Sequence, residues 1–232
     1  MFSYTIAGLA ITKTDDMKTA LVTGGTSGIG EALVRRLAAE GACVIFNGRR
    51  QDLGDKIAAD TGATYVQADV TVPDDIARTI KRAPGCIDVL VNNAGLVGRY
   101  DGILTTDPFA FMHQFNLHVV AAVTNIRHVL PRMSPSGSII NIASVAAYRG
   151  FGDGRVPYAV SKAALIALTY SLAPELNRFG VRINSVSPGH LTAGLDVVVD
   201  AVMFLASDAS RFCTGIDLIV DNGLVCGSTY VK

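Results

Sequence analysis

An apolar run that halts at a string of glycines and resumes as a helix constrains this chain's fold more than any other stretch. Ala20-Leu21-Val22 leads into Thr23-Gly24-Gly25-Thr26-Ser27-Gly28-Ile29-Gly30, and Glu31 to Glu40 then carries helix-like spacing. Strand, glycine turn and helix in that order make a phosphate-binding unit. The glycines let backbone approach a pyrophosphate, whose charge sits at a helix N-terminus. The rest of the chain repeats the alternation. Apolar runs at 42–46, 64–67, 87–91, 138–142, 181–186 and 217–220 read as six further strands. Helix-like stretches lie near 28–40, 51–60, 73–82, 107–132, 157–179 and 197–207. Such alternation implies βαβ units with right-handed crossovers and one parallel sheet.

The expected fold class is therefore α/β, a Rossmann-type doubly wound parallel sheet of about seven strands flanked by helices. Its 232 residues suit one such domain, expected over 17–232, with 1–16 as an N-terminal extension ahead of Met17. Half of the residues are hydrophobic and 17% charged, which suits a sheet covered on both faces and leaves apolar surface for oligomer contacts. Twenty basic residues balance twenty acidic ones with no basic stripe, which argues against a nucleic-acid partner. The apolar segment Ile6 to Ile11 is too short to span a bilayer, and no basic residue precedes it, which argues against a membrane or secretory role. Cys43, Cys86, Cys213 and Cys226 form no Cys-x-x-Cys pair and no metal-ligand cluster with histidine, so no metal is expected and a cytoplasmic setting is favoured.

Tyr158 and Lys162 open a second helix, and a spacing of four puts them on one face. Free tyrosine titrates at about 10, and a nearby ammonium favours the phenolate. A nucleotide site with a tunable phenol points to hydride transfer to or from a carbonyl, with Tyr158 as acid/base. After the second strand the chain reads Asn47-Gly48-Arg49-Arg50. A cofactor without a 2′-phosphate usually meets an acidic residue there. Here there is none; Gly48 leaves space and Arg49 offers a planar cation for a phosphate, with Arg50 a second candidate. NADP(H) is therefore the favoured cofactor and NAD(H) the alternative.

TGGTSGIG at 23–30, NNAG at 92–95, Asn116, Ser144, YAVSK at 158–162 and Pro188-Gly189 resemble, in order and nearly in spacing, the short-chain dehydrogenase/reductase family, from about Lys18 to Gly223. One glycine motif alone is weak evidence; six coincidences in order are strong. The resemblance implies an oxidoreductase acting on a small-molecule carbonyl or alcohol. Gly24, Thr26, Ser27, Gly28, Ile29 and Gly30 would hold the cofactor phosphates. Asp69 would bond the adenine amino group and the Val70 amide a ring nitrogen. Asn93, Ala94 and Gly95 would pass beside ribose and nicotinamide, Asn92 would brace the sheet, and Pro188 and Gly189 would shape the nicotinamide pocket. Lys162 would also bond the ribose hydroxyls, Ser144 would polarise the substrate oxygen, and Asn116 would support a water relay to Lys162. The helices near 107–132 and 157–179 would pair between subunits in a homodimer or homotetramer.

Bland readings exist for each: a surface Tyr/Lys pair, a turn cap at Ser144, a buried helix residue at Asn116. Together they lose, because all four sit where one family requires them. His113, His118 and His128 read as packing or surface residues of one long helix, and His190 as a candidate substrate contact.

Two departures stand out. The interval from Ser144 to Tyr158 is one residue longer than usual in the family, and the glycine-rich loop 149–154 can absorb it. Between Pro188-Gly189 and the helix at Val197, family members carry one or two substrate-covering helices, and here only His190 to Asp196 remain. Either the cover is deleted, or a mobile stretch is missing from this sequence; covers are commonly mobile, which favours the second. A true deletion would favour a non-catalytic nucleotide-binding protein.

Overall fold

The computed structural model describes residues 18–98, 102–189 and 194–227; the expected 1–16 extension and His190 lie outside them. The strands are β1 (Thr19–Val22), β2 (Cys43–Gly48), β3 (Thr64–Gln67), β4 (Ile87–Asn92), β5 (Met133–Ile142), β6 (Arg182–Pro188) and β7 (Asp217–Val220). The helices are α1 (Gly28–Ala39), α2 (Gln51–Thr61), α3 (Pro73–Ile80), α4 (Pro108–Phe115), α5 (Ala121–Val129), α6 (Val156–Asn177) and α7 (Asp196–Ala206). All seven strands pair in parallel in the order β3-β2-β1-β4-β5-β6-β7. The chain moves outward from β1 to β3, then returns to start again on the other side of β1. That reversal opens a crevice between the C-terminal ends of β1 and β4, where such sheets bind ligands.

Alternation along the strands builds two cores. Ala20, Val22, Val44, Phe46, Val89, Val91, Ile140, Ile142 and Val186 meet Leu33, Val34 and Leu37 of α1 and Val198, Val199 and Val202 of α7. Leu21, Ile45, Leu90, Ile139 and Ile183 face the other way, onto Ile76 and Ile80 of α3, Ile126 and Val129 of α5, and Ala173 and Leu176 of α6. Helix α6 is long and apolar enough, by length and composition, to cross a membrane. Its apolar character has a local explanation on one side: Leu165, Ala173 and Leu176 are buried.

A chain of buried amides crosses the sheet. Asn125 Nδ2 donates to Asn92 Oδ1 at 3.0 Å, Asn92 Nδ2 to Asn141 Oδ1 at 2.8 Å, and Asn141 Nδ2 to Thr169 Oγ1 at 2.8 Å. These bonds tie α5, β4, β5 and α6 in one register beneath the crevice, and every member is satisfied by the next.

Two elements differ from expectation. Strand β5 begins at Met133 rather than Ser138, across Pro135 and Gly137, with its pairing to β4 shifted between Ile87 and Val89. The single helix expected over 107–132 is divided. Asp107 caps α4, its carboxylate accepting from Phe109 N at 2.9 Å. A π turn then runs over Asn116–Val120, closed by Ala121 N donating to Asn116 O, before α5 and a 3-10 turn at Leu130–Arg132.

Candidate active site

The C-terminal ends of β1 and β4 are clasped by two side chains. Thr23 Oγ1 accepts from Asn93 N and Ala94 N, both at 3.0 Å. Asn93 Nδ2 donates to Thr23 O at 2.9 Å and Gly24 O at 3.1 Å. The Asn93 amide thus holds the glycine loop. Asn47 fixes the other flank, its Oδ1 accepting from Gly24 N at 3.2 Å and its backbone oxygen from Gly25 N at 2.8 Å. The crowding explains two glycines. Gly24 has φ +67° and a Cβ there would lie 2.7 Å from Ala94 Cα; one on Gly30 would lie 2.3 Å from Gly24 O.

The loop delivers the chain to α1 with Ser27 extended at the cap and making no side-chain capping bond. The first N–H groups of α1 therefore lack the usual intramolecular acceptor and offer themselves to an anion. They open on a crevice of about 650 Å3. Its walls include Gly24, Thr26, Ser27, Gly28 and Ile29, then Arg49, Asp69 and Val70, then Asn93, Ala94 and Gly95, and finally Ser144, Tyr158, Lys162, Pro188 and Gly189. Gly30 lies beneath the loop and lets it close. An uncapped helix end, a backbone cradle that a Cβ would fill and a crevice of this length fit a nicotinamide dinucleotide.

At the β2 end both arginines reach the crevice. Arg50 Nη2 donates to Thr26 O and Thr26 Oγ1, each at 3.2 Å, which folds it onto the glycine loop. The Arg49 side chain makes no such bond among the described residues. A Cβ on Gly48 would lie 2.6 Å from Thr26 Cγ2, so a larger residue there would push the loop aside. Past the end of β3, Asp69 Oδ1 accepts from Thr71 N at 2.9 Å and Thr71 Oγ1 at 2.7 Å. Burial pushes the Asp69 carboxyl up, but the Thr71 bonds, aided by Arg49 and His113, outweigh it and hold the group below the ordinary carboxylate range.

At the catalytic end, Ser144 closes β5 and caps the 3-10 turn Val145–Ala147, its Oγ accepting from Ala146 N at 3.1 Å. The cap does not exclude the expected role: accepting leaves the hydroxyl hydrogen to donate. Tyr158 and Lys162 lie on the first turns of α6, with Lys162 Nζ 5.7 Å from the Tyr158 ring centroid. Lys162 is buried and donates to Ile142 O at 2.6 Å. Burial pushes its ammonium down to about 7.

Asn116 is not brought into this group. It is exposed at the start of the π turn and borders a separate apolar groove with Phe115, Val120 and Val160. The residue that points inward is His118, which is buried edge-on to Tyr158, with ring centroids 5.6 Å apart. A Cβ on Gly95 would lie 2.8 Å from His118 Nε2. The sequence carries a signal for this. Counting back from the buried Ile126 and Ala122 by helical steps of four reaches His118, whereas Asn116 lies six residues before Ala122, on the far face. A second residue missed is Arg155, which lines the crevice, pairs with Asp153 and stacks 4.7 Å over Phe151. It stands at the N-cap of α6, directly after the glycine-rich loop 149–154.

The family profile described as short chain dehydrogenase matches residues 18–201. Sex determination protein tasselseed-2 of Zea mays is 34% identical over 275 positions, covering 90% of this chain and 82% of its own length. Xanthoxin dehydrogenase of Arabidopsis thaliana is 34% identical over 257 positions, covering 90% of each. A solved structure described as a short chain dehydrogenase/reductase family protein superposes with a TM-score of 0.82 at 38% identity, covering 90% of this chain and 97% of that one. Both sequence alignments are longer than this chain's 232 residues, so both relatives carry internal residues that it lacks.

Lys162 makes the site costly to fold. Unfolded lysine titrates near 10.5 and the buried one near 7, so below about pH 7 both states are charged and the folded state bears the full burial cost. Between those values the unfolded chain binds more protons, and stability rises with pH. Lys162→Met should therefore raise the urea midpoint of the cofactor-free protein most at about pH 6 and progressively less toward about pH 10. A loss of stability at the acid end would show that the bond to Ile142 outweighs burial.

Proposed function

The chain belongs to the short-chain dehydrogenase family, and on that footing we propose that it is an NADP(H)-dependent carbonyl reductase or alcohol dehydrogenase. The observation that carries this reading is that Ser144, Tyr158 and Lys162 face the same crevice as the uncapped start of α1. A bound nicotinamide supplies the hydride for a carbonyl carbon, or takes it from an alcohol. Tyr158 donates its phenolic proton to the carbonyl oxygen in reduction and removes it from the alcohol in oxidation. Ser144 donates its hydroxyl hydrogen to the same oxygen, polarising the bond and orienting the substrate. Lys162, when charged, favours the phenolate. Burial pushes that ammonium down to about 7, so its charge responds to its surroundings near neutrality.

Arg49 supports the NADP(H) preference. It reaches the crevice at the turn where no acid stands, and its guanidinium is uncommitted among the described residues, whereas Arg50 is held by Thr26. A non-catalytic nucleotide-binding protein is the second reading. The brief connection from β6 to α7 favours it, since relatives carry residues that this chain lacks.

Assembly and setting belong to the same proposal. Phe115, Val120, Val160 and Tyr170 stand exposed on the stretch from α4 to α5 and on α6, so two copies pairing these faces would bury them in a homodimer or homotetramer. The unpaired cysteines Cys43, Cys86, Cys213 and Cys226 support a reducing, cytoplasmic setting.

Reduced-nicotinamide absorbance with a panel of ketones and secondary alcohols, and with xanthoxin, separates the two readings. Tyr158→Phe should lower turnover by about 100-fold or more while leaving cofactor binding intact. Near-normal turnover in that variant removes Tyr158 as the acid/base. Arg49→Ala should weaken NADPH by about 1.5–3 kcal/mol and NADH far less; equal losses would show that Arg49 does not read the 2′-phosphate. Light scattering at micromolar concentration should return a dimer or tetramer mass, and a monomer mass would defeat the interface.

A further inference from the structure

His118 carries a buried polar atom that the catalytic scheme leaves idle. Two hydrogen bonds determine its tautomer. Ser161 Oγ donates to Tyr158 O at 2.7 Å, which uses the one hydroxyl hydrogen Ser161 has. His118 Nδ1 lies 2.8 Å from that same Ser161 Oγ, so Nδ1 must carry hydrogen and donate it. Nε2 is then a bare lone pair, buried and without a partner among the described residues. A buried acceptor in that state is costly and calls for a donor.

The donor is close. Behind the catalytic side chains lies a cavity of about 10 Å3, walled by His118, Lys162, Thr23, Asn92, Asn125 and Leu165 among others. That is room for one water molecule, and the wall is polar enough to hold it. Lys162 Nζ commits one N–H to Ile142 O and, when charged, keeps two more. Gly95 shows how near the two nitrogens come: a Cβ on it would lie 2.8 Å from His118 Nε2 and 3.6 Å from Lys162 Nζ.

We propose that His118 is a positioning residue for Lys162, through a single buried water that accepts from Lys162 Nζ and donates to His118 Nε2. The proposal rests on the Tyr158–Lys162 chemistry above and replaces the role expected of Asn116. The same bonds limit what His118 can do. Its Nδ1 hydrogen goes to Ser161, and the Ser161 hydrogen goes to a peptide carbonyl, which is a poor proton carrier. The line of hydrogen bonds therefore stops, and His118 steadies Lys162 rather than passing protons to solvent. The imidazole suits this because it stays neutral. Burial, followed by the charges of Lys162 and His113, pushes it down to about 2. The titratable groups facing it are Lys162 and Tyr158 on α6 and His113 on α4, and no carboxylate lines the cavity among the described residues.

Two variants and one spectrum test this. His118→Leu keeps the bulk and removes the acceptor; His118→Asn restores an acceptor on a shorter side chain. The Leu variant should lose about 10- to 100-fold in kcat with the KM for cofactor changed less than about threefold, and the Asn variant should recover to within about fivefold of the parent. If His118 served packing alone, the apolar variant would be the better enzyme, and that order overturns the proposal. The spectrum needs no turnover. In the cofactor-free parent labelled with 15N-histidine, His118 should show protonated Nδ1 and hydrogen-bonded, unprotonated Nε2, unchanged down to about pH 5. An Nε2–H tautomer, or an imidazolium forming above that pH, overturns it. A parent inactive on every ketone would sink the reductase reading, and the His118 resonances would still decide this one.

Discussion

The clasp between Thr23 and Asn93 holds the site together. One hydroxyl accepts two backbone N–H groups from the turn after β4, and one amide returns two hydrogen bonds to the glycine loop after β1. Those loops belong to different βαβ halves and meet only because the strand order reverses at β1. The clasp converts a topological crevice into a groove of defined width. Everything downstream inherits that width: the height of α1 above the sheet, the approach of Gly95 to His118, and the distance from there to Lys162. The amide chain from Asn125 to Thr169 has the same effect a layer below, keeping β4, β5 and α6 in step.

The site sets electrostatic cost against geometry. Arg49, Arg50, Arg155 and Lys162 all reach a crevice whose acidic lining among the described residues is Asp69. Most of that positive charge is partly solvated or paired, as Arg155 is with Asp153. Lys162 is the exception, with its ammonium shut inside. A fully apolar pocket would be easier to fold, since burying one ammonium is costly. Under the proposed mechanism that cost is what places a cation beside the Tyr158 phenol.

The fold was legible because period-two and period-four patterns survive in nearly every element. Val44, Ile45 and Phe46 alternate between two cores as their spacing requires, and Leu33, Val34 and Leu37 mark the buried stripe of α1. The glycine motif and the residues after β3, β4 and β6 were legible for a different reason: each occupies the end of a strand, and strand ends converge in this topology. Legibility failed where local geometry departs from the regular repeat. The family resemblance alone places Asn116 at the site, and the structure leaves it exposed at the start of the π turn. His118 reads as a packing residue because a neutral, buried imidazole has the same neighbours whether or not its lone pair is used. Arg155 stands between a glycine-rich loop and the first residue of α6, where there is no period to read.

The π turn makes chain length itself a functional variable. It accommodates one more residue than an α turn would, with Ala121 N reaching back five positions to Asn116 O. Removing a single residue from Asn116–Val120 would let the helix run through unbroken, because the wide turn is what absorbs the extra residue; α4 and α5 would keep their mutual orientation while the side chains inside the turn, His118 among them, were re-aimed. A one-residue deletion in the regular α turns on either side has no such slack, and would rotate one arm by about 100° and advance it by about 1.5 Å relative to the other. Variation among descendants of this chain should therefore tolerate a one-residue change in length within this turn better than in the helices that flank it.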